Sequence, residues 1–108
     1  MITKYKNRYI LTESSEPVDV NDRGTALDIA SSIDRQLGEI GRVELNPKPV
    51  YQYNPNVFIL RVKRGYERKV ILALSFIKDI NGKRLGLYTI RTSGTIRSLI
   101  KYCKNTYH

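Results

Sequence analysis

The chain has 108 residues, with 19 Lys and Arg against 10 Asp and Glu, which gives a formal net charge of +9. With 41% hydrophobic and 27% charged residues, the composition excludes a disordered tail protein and predicts one globular domain over residues 1–108. The longest apolar run in a periodic segment, Val70 to Ile77, is far shorter than the ~18 residues of a membrane span, and the single cysteine excludes an internal disulfide. We therefore expect an intracellular, cytoplasmic protein with no membrane attachment.

The charge is distributed unevenly along the chain. Residues 1–12 carry +3, residues 13–41 carry −5, and residues 42–108 carry +11. This asymmetry indicates that one surface meets a polyanion such as a nucleic acid, although Lys and Arg that serve only solubility would give the same composition.

The first predicted elements are a strand and a helix. Residues 8–13 are apolar and β-prone, which predicts a strand. Apolar side chains then recur at helical spacing, which predicts a helix over about residues 24–40, with Thr25 as its N-cap and Gly41 as its stop. The apolar stripe of this helix comprises Ala26, Ile29, Ala30, Ile33, Leu37 and Ile40.

A hairpin is predicted over residues 42–63. The turn residues 54–56 are followed by a strongly β-prone stretch, 57–63, and are preceded by the apolar residues Val43 and Leu45, then Val50, Tyr51 and Tyr53. Because Pro47 and Pro49 cannot lie in the middle of a sheet, the first hairpin strand is expected to be irregular or at an edge.

A second helix is predicted from Gly65 to about Ile80. Its main apolar stripe runs from Tyr66 to Ile77, and Leu72, Phe76 and Ile80 form a second apolar row at i, i+4 and i+8. A helix that is apolar over so wide a face is either deeply buried or presents a protein-binding surface formed by this second row.

The last predicted elements are a strand over residues 83–92 and a third helix that starts near Gly94 with Ser93 as its cap. The order β-α-β-β-α-β predicts an α+β sandwich of the ferredoxin-like or RRM-like type, with a four-stranded antiparallel sheet, helices on one face and an added C-terminal helix. In that last helix Ile96, Leu99, Ile100 and Cys103 are expected to face inward, and Arg97, Lys101 and Lys104 outward.

Catalysis by the chain itself is not supported by its residues. The only histidine is His108, and Cys103 lies on an apolar helical stripe, so neither is a candidate nucleophile or base. The acidic residues between Glu13 and Asp22 lack the spacing of a calcium loop, and glycine-rich phosphate loops are absent from the sequence. We expect the protein to bind no metal or cofactor of its own.

A phosphate-binding segment is predicted where the last strand meets the third helix. The sequence Arg91-Thr92-Ser93-Gly94-Thr95-Ile96-Arg97 brings hydroxyls, a glycine and two arginines to a helix start, whose free N–H groups favour anions. An ordinary helix cap is the alternative. Arg97, Lys101 and Lys104 would continue the positive charge along one helix face, a geometry that can follow a nucleic-acid backbone. An ordinary solvent-exposed helix face would show the same sequence pattern.

Four segments in this order resemble a known family. They are Arg8–Leu11, Arg61–Tyr66, Ile80–Arg84 and, the most specific, Ser93–Arg97. Together they are similar to the small RRM-like protein subunit of archaeal and eukaryotic ribonuclease P, which in archaea is protein component 2.

The resemblance implies a non-catalytic subunit of a ribonucleoprotein endonuclease. The RNA of such an enzyme carries the active site, uses magnesium and removes the 5′ leader of precursor tRNA. The implied partners are that RNA, precursor tRNA and a larger barrel-shaped protein subunit, with two copies of each protein in a heterotetramer. On this hypothesis Arg91, Ser93, Gly94, Thr95 and Arg97 hold the RNA backbone, Lys101 and Lys104 extend the contact, and Leu72, Phe76 and Ile80 form a protein interface.

Two alternatives remain at this point. A free-standing module for single-stranded RNA would bind short oligonucleotides selectively, but the third strand lacks the aromatic pattern with which RRM domains stack bases. A ferredoxin-like protein-interaction domain would bind no RNA at moderate salt.

Overall fold

A computed structural model describes residues 7–38 and 47–107 of the chain. Strands and helices alternate in the order that the sequence predicts, with one additional short ribbon. In chain order they are β1 (Asn7–Ser14), α1 (Arg23–Leu37), β2 (Lys48–Asn54), β3 (Val57–Lys63), α2 (Glu67–Phe76), β4 (Asp79–Ile80), β5 (Lys83–Arg84), β6 (Leu87–Ser93) and α3 (Ile96–Thr106).

Four strands form one antiparallel sheet in the order β2-β3-β1-β6. The central strand β1 pairs with β3 on one side and with β6 on the other. Because β3 lies between β1 and β2, the first crossover through α1 is a split β-α-β unit. The ferredoxin-like α+β fold predicted from the sequence is therefore confirmed.

Helices α1 and α2 pack on one face of the sheet. Alternate residues of the strands point to that face, and the inward stripes of both helices cover them. This core includes Ile10, Phe58, Leu60 and Val62 from the sheet, Ile29 and Ile33 from α1, and Val70, Ala73 and Leu74 from α2.

Helix α3 covers the opposite face of the same sheet. Leu99 and Cys103 are fully buried against Leu11, Val57 and Ile59, which are the strand residues that point away from α1 and α2. The inward positions expected for the third helix are confirmed, because Ile96 and Ile100 also pack against this cluster. The sheet is thus enclosed by helices on both faces rather than on one.

The ends of α1 differ from the sequence prediction. Asp22, not Thr25, is the N-cap, because its Oδ2 accepts hydrogen bonds from the backbone N–H of Thr25 at 3.0 Å and from its hydroxyl at 2.9 Å. The helix ends at Gly38, whose φ of 65° suits glycine. The expected stop at Gly41 and the stripe residue Ile40 lie outside the described residues.

Helix α2 is shorter than predicted, which changes the position of Ile80. The helix ends at Phe76 because Ile77 is already extended, with φ −78° and ψ 122°. Asn81 and Gly82 both have positive φ, 53° and 79°, and form the turn that joins β4 to β5. Ile80 therefore lies on a strand and is only 3% exposed, so the predicted row of Leu72, Phe76 and Ile80 does not form one helix face.

The segment predicted as the last strand divides into two. Residues Lys83–Arg84 pair with β4, and only Leu87–Ser93 join the main sheet. The hairpin β2–β3 is confirmed, with β2 at the edge and irregular register around Pro49, as its prolines predict. Within the described part of the chain, no helix is long and apolar enough to cross a membrane.

Candidate nucleic-acid interface

The outer face of α3 carries a row of cations. Arg97, Lys101 and Lys104 are exposed, while Leu99 on the inner face is fully buried. Ile96 and Ile100 lie between the cations and line a shallow surface groove with them. None of the three cations forms an ion pair or a hydrogen bond within residues 7–38 and 47–107. As far as the described residues go, this row therefore presents its positive charge to solvent without a carboxylate partner.

The start of α3 is ordered by hydroxyl groups. Thr95, rather than Ser93, is the N-cap, since its Oγ1 accepts a hydrogen bond from the backbone N–H of Ser98 at 3.3 Å. Ser93 instead ends β6, where its Oγ accepts from the N–H of Thr95 at 3.2 Å and is also hydrogen-bonded to the hydroxyl of Ser98.

Two backbone donors at this helix start remain available. The hydroxyls of Ser93 and Thr95 already engage the N–H groups of Thr95 and Ser98. The N–H groups of Ile96 and Arg97, by contrast, form no hydrogen bond within the part of the chain that the structure describes. The segment therefore combines an ordinary cap with two free donors at the positive end of the helix dipole, where an anion would be stabilised.

A β-bulge in β6 places Arg91 beside α3. Leu11 pairs with Arg91 whereas the next residue, Thr12, pairs with Thr89, so Ile90 is an extra residue in β6. Arg91 thereby points to the same face as Leu11, which α3 covers. Its guanidinium stacks on the ring of Tyr102 of α3, 4.4 Å from the ring centroid.

Arg8 is a further cation at this site that the sequence analysis did not include. Its Nη1 lies 3.9 Å from the position that a Cβ on Gly94 would take. Its Nε is 3.7 Å from Oε2 of Glu67, is buried, and has no hydrogen-bond partner within the described residues. No local pattern in the sequence indicates this proximity, because it arises from the pairing of β1 with β6, which aligns Tyr9 with Ser93.

An apolar patch lies on the other side of the sheet. Leu72 and Phe76 of α2 are 60% and 58% exposed, and because they are one helical turn apart they form one contiguous patch. Ile80 does not extend this patch, because it lies on β4 and its side chain is buried in the core shared with α1 and α2.

The groups that could perform chemistry are few in the described residues. Cys103 is buried, and that burial raises the pKa of its thiol, which disfavours the reactive thiolate. Residues 7–38 and 47–107 contain no cluster of three or more His, Cys, Asp or Glu side chains that could hold a metal ion. The cations and backbone N–H groups of α3 described above are suited to binding an anion.

Comparison with known proteins identifies the family. The model of the Rpp14/Pop5 family matches residues 8–104. Ribonuclease P protein component 2 of Pyrococcus abyssi is 36% identical over 105 residues, which cover 94% of this chain and 87% of that protein. The protein of the same name from Methanocorpusculum labreanum is 30% identical over 94 residues, which cover 87% of this chain but only 63% of that longer protein.

Structural comparison agrees with this fold. A chain in the cryo-EM structure of yeast ribonuclease MRP superimposes with a TM-score of 0.57 at 13% sequence identity, and the match covers 97% of this chain and 93% of that one. The sequence match spans β1 to α3 and so includes both the basic row and the cap of α3. The chain therefore belongs to the Rpp14/Pop5 family, a family of ribonuclease P protein subunits.

Proposed function

We propose that this chain is a non-catalytic subunit that binds the RNA of ribonuclease P and supports the removal of 5′ leaders from precursor tRNA. The observation that carries this proposal is the row of Arg97, Lys101 and Lys104 on α3, which has no carboxylate partner within the described residues. The two free N–H groups at the start of the same helix add donors for a phosphate.

The physical role of the row is to neutralise RNA backbone charge. Seven residues of helix separate Arg97 from Lys104, which is about 10 Å along the axis, so the cations can contact neighbouring phosphates of one RNA strand. Each phosphate that is neutralised releases condensed counterions and reduces repulsion within the folded RNA. The chain would accordingly lower the magnesium concentration that the RNA needs, while the RNA itself uses the metal for catalysis.

The position of α3 favours this function over a conventional single-strand binding domain. RRM domains stack bases on aromatic residues of the exposed sheet face. Here the corresponding face lies under α3. Its aromatic residues Tyr9, Tyr51 and Tyr53 pack against the apolar cluster between the sheet and α3. Contact through phosphates and shape is therefore the better use of this surface.

The proposal includes a protein partner on the opposite side. The exposed side chains of Leu72 and Phe76 fit an interface with the larger barrel-shaped subunit of ribonuclease P, in an assembly with two copies of each protein. In that arrangement α3 would face the RNA and α2 the protein, with the sheet between them.

The experiment that tests the proposed function measures precursor tRNA cleavage by the matching ribonuclease P RNA at limiting magnesium. We expect the rate to rise when this chain and its larger partner subunit are added together, and the difference to shrink at high magnesium. Each protein added alone is the control. If the pair leaves the rate unchanged at every magnesium concentration, the chain is not an activating subunit of this enzyme.

A further inference from the structure

Tyr88 is an exposed aromatic residue that lies outside the basic row on α3. It lies near the start of the edge strand β6, and its side chain is 56% exposed. Its ring extends along the strand over Gly86, because a Cβ placed on Gly86 would lie only 2.6 Å from the Tyr88 hydroxyl. The hydroxyl end of the ring therefore lies over the backbone of Gly86 at the edge of the sheet.

The β-bulge brings Tyr88 and Arg91 to the same face. Residues three apart on a regular strand point to opposite faces. Here Tyr88 pairs with Glu13 and Arg91 with Leu11, and these two partners are two residues apart on β1, so they share a face. Because Ile90 is inserted between the two pairs, Arg91 shares that face as well.

Tyr88 and Arg91 offer two planar groups on one strand. Their β1 partners are two residues apart, about 7 Å, and the Tyr88 ring extends away from Arg91, over Gly86, so the two groups would contact different nucleotides. The Arg91 guanidinium lies over the Tyr102 ring, and the Arg91 side chain is exposed, so part of the guanidinium remains open to solvent.

Positive charge lies beside the Tyr88 ring. Tyr88 and Gly86 line a surface cleft together with the exposed side chains of Lys78 and Arg84 and with Glu16. Glu13, the cross-strand partner of Tyr88, is a second carboxylate on this face. A nucleotide stacked on Tyr88 would have the cations Lys78 and Arg84 within reach of its phosphate. At its other end β6 leads directly into the start of α3, so one strand of RNA could contact both places.

We infer that the edge of β6 is a stacking site for unpaired nucleotides of RNA, with the Tyr88 ring and the exposed part of the Arg91 guanidinium as its two planar surfaces. The inference rests on the proposed function and adds a kind of contact to it. Aromatic rings and guanidinium planes stack on bases of any sequence. The site would therefore distinguish unpaired from paired RNA and would select little among sequences.

The test uses the full chain and two RNA probes of equal charge, an oligouridine of about ten nucleotides and a closed hairpin. Tyr88→Ala is expected to weaken binding of oligouridine by about 5- to 150-fold, with no change for the hairpin. Tyr88→Phe keeps the ring and should retain binding. Leu27→Ala removes another large exposed side chain, on α1, and serves as the matched control.

Arg91→Lys separates stacking from charge. The lysine keeps the positive charge but lacks the guanidinium plane. We expect this variant to bind oligouridine more weakly than the native chain, with an unchanged dependence of affinity on salt. Equal binding of oligouridine by the native chain and Tyr88→Ala would overturn the inference, as would equal losses in Tyr88→Ala and Tyr88→Phe.

The outcomes also separate this inference from the proposed function. If the native chain binds the hairpin with a steep salt dependence while Tyr88→Ala changes nothing, only the stacking site is wrong. If the native chain binds neither probe at moderate salt, the proposed RNA-binding function fails first. Weaker binding of the larger protein subunit by Tyr88→Ala, with oligouridine binding intact, would make this edge a protein contact and overturn the inference.

Photocrosslinking in the reconstituted enzyme identifies the source of the nucleotide. With 4-thiouridine incorporated either in the ribonuclease P RNA or in precursor tRNA, we expect one of the two to give an adduct on β6 that is lost in Tyr88→Ala. An adduct from the RNA subunit would make the site structural, and an adduct from precursor tRNA would make it part of substrate binding. Absence of an adduct on β6 from both RNAs would contradict the inference.

Discussion

Arg97 lies on the first turn of α3, where it combines its own charge with the free N–H groups of the helix start. If it contacts an RNA phosphate, Arg97→Ala should lower the slope of log affinity against log salt by about one unit and should weaken binding to all sequences equally. Filter binding at several salt concentrations measures this. Arg23→Ala removes one exposed cation from α1 on the opposite side of the sheet and should leave the slope unchanged. Equal slopes for Arg97→Ala and the native chain would remove Arg97 from the contact.

Asp22 couples the stability of the fold to pH. Hydrogen bonds from the backbone N–H and then the hydroxyl of Thr25 hold the pKa of Asp22 below its ordinary value. A carboxyl whose pKa is lowered by folding stabilises the folded state above its ordinary pKa, and this contribution is lost as the pH falls through its folded value. We therefore expect Asp22→Ala to lower the melting temperature at pH 7, with a difference that narrows below about pH 4.

Thermal unfolding followed by circular dichroism between pH 2 and pH 7 checks this expectation. Asp22→Asn retains an oxygen that can cap the helix and should recover part of the stability at pH 7, without the dependence on pH. A difference between the native chain and Asp22→Ala that stays constant down to pH 2 would contradict the role of the ionised cap.

At the scale of elements, α3 combines two tasks, since its inner face fixes the helix on the sheet and its outer face carries the cations. Leu99 is fully buried in that contact. Leu99→Ala should lower the free energy of unfolding by about 2–5 kcal/mol, measured by denaturant titration of the isolated chain. The same change at Leu27, which is 58% exposed, should cost less than about 0.5 kcal/mol. Similar losses at both positions would mean that α3 does not pack as described.

The elements also show what the sequence could predict. Helical periodicity correctly indicated α1, α2 and α3, and the prolines correctly placed β2 at an edge. The bulge at Ile90 was missed because an extra residue depends on pairing with β1 and leaves no pattern within β6 itself. The predicted end of α2 was too late because Ile80 continues the helical spacing of Leu72 and Phe76. In the structure Asn81 and Gly82 form the turn between two short strands, β4 and β5.

The basic segment at the start of α3 was found from sequence because its residues are adjacent in the chain. Arg8 was not, because it reaches Gly94 only through the sheet. The face of the sheet that α3 covers could not be predicted from the sequence either. The amphipathic pattern of a helix indicates which of its sides is buried but not which side of the sheet it packs on.

At the scale of the whole molecule, the sheet separates two surfaces with different chemistry. The basic row lies on the α3 side, and Leu72 and Phe76 lie on the α2 side. On the proposed function, such a subunit would hold RNA and a protein at once without competition between them. Changes to the apolar patch should therefore weaken protein binding alone, and changes to the basic row should weaken RNA binding alone.

The double variant Leu72→Gln and Phe76→Gln tests this separation without changing the charge of the chain. Both side chains are exposed, so the isolated variant should fold with nearly native stability. If the patch is the centre of the interface, affinity for the larger ribonuclease P subunit should fall at least about tenfold, measured by calorimetry. The salt dependence of RNA binding should stay that of the native chain.

Arg97→Ala should give the converse result, with weaker RNA binding and an unchanged protein affinity. A double variant that binds the larger subunit as tightly as the native chain would place that interface elsewhere, and loss of both activities in either variant would mean that the two surfaces are not separate.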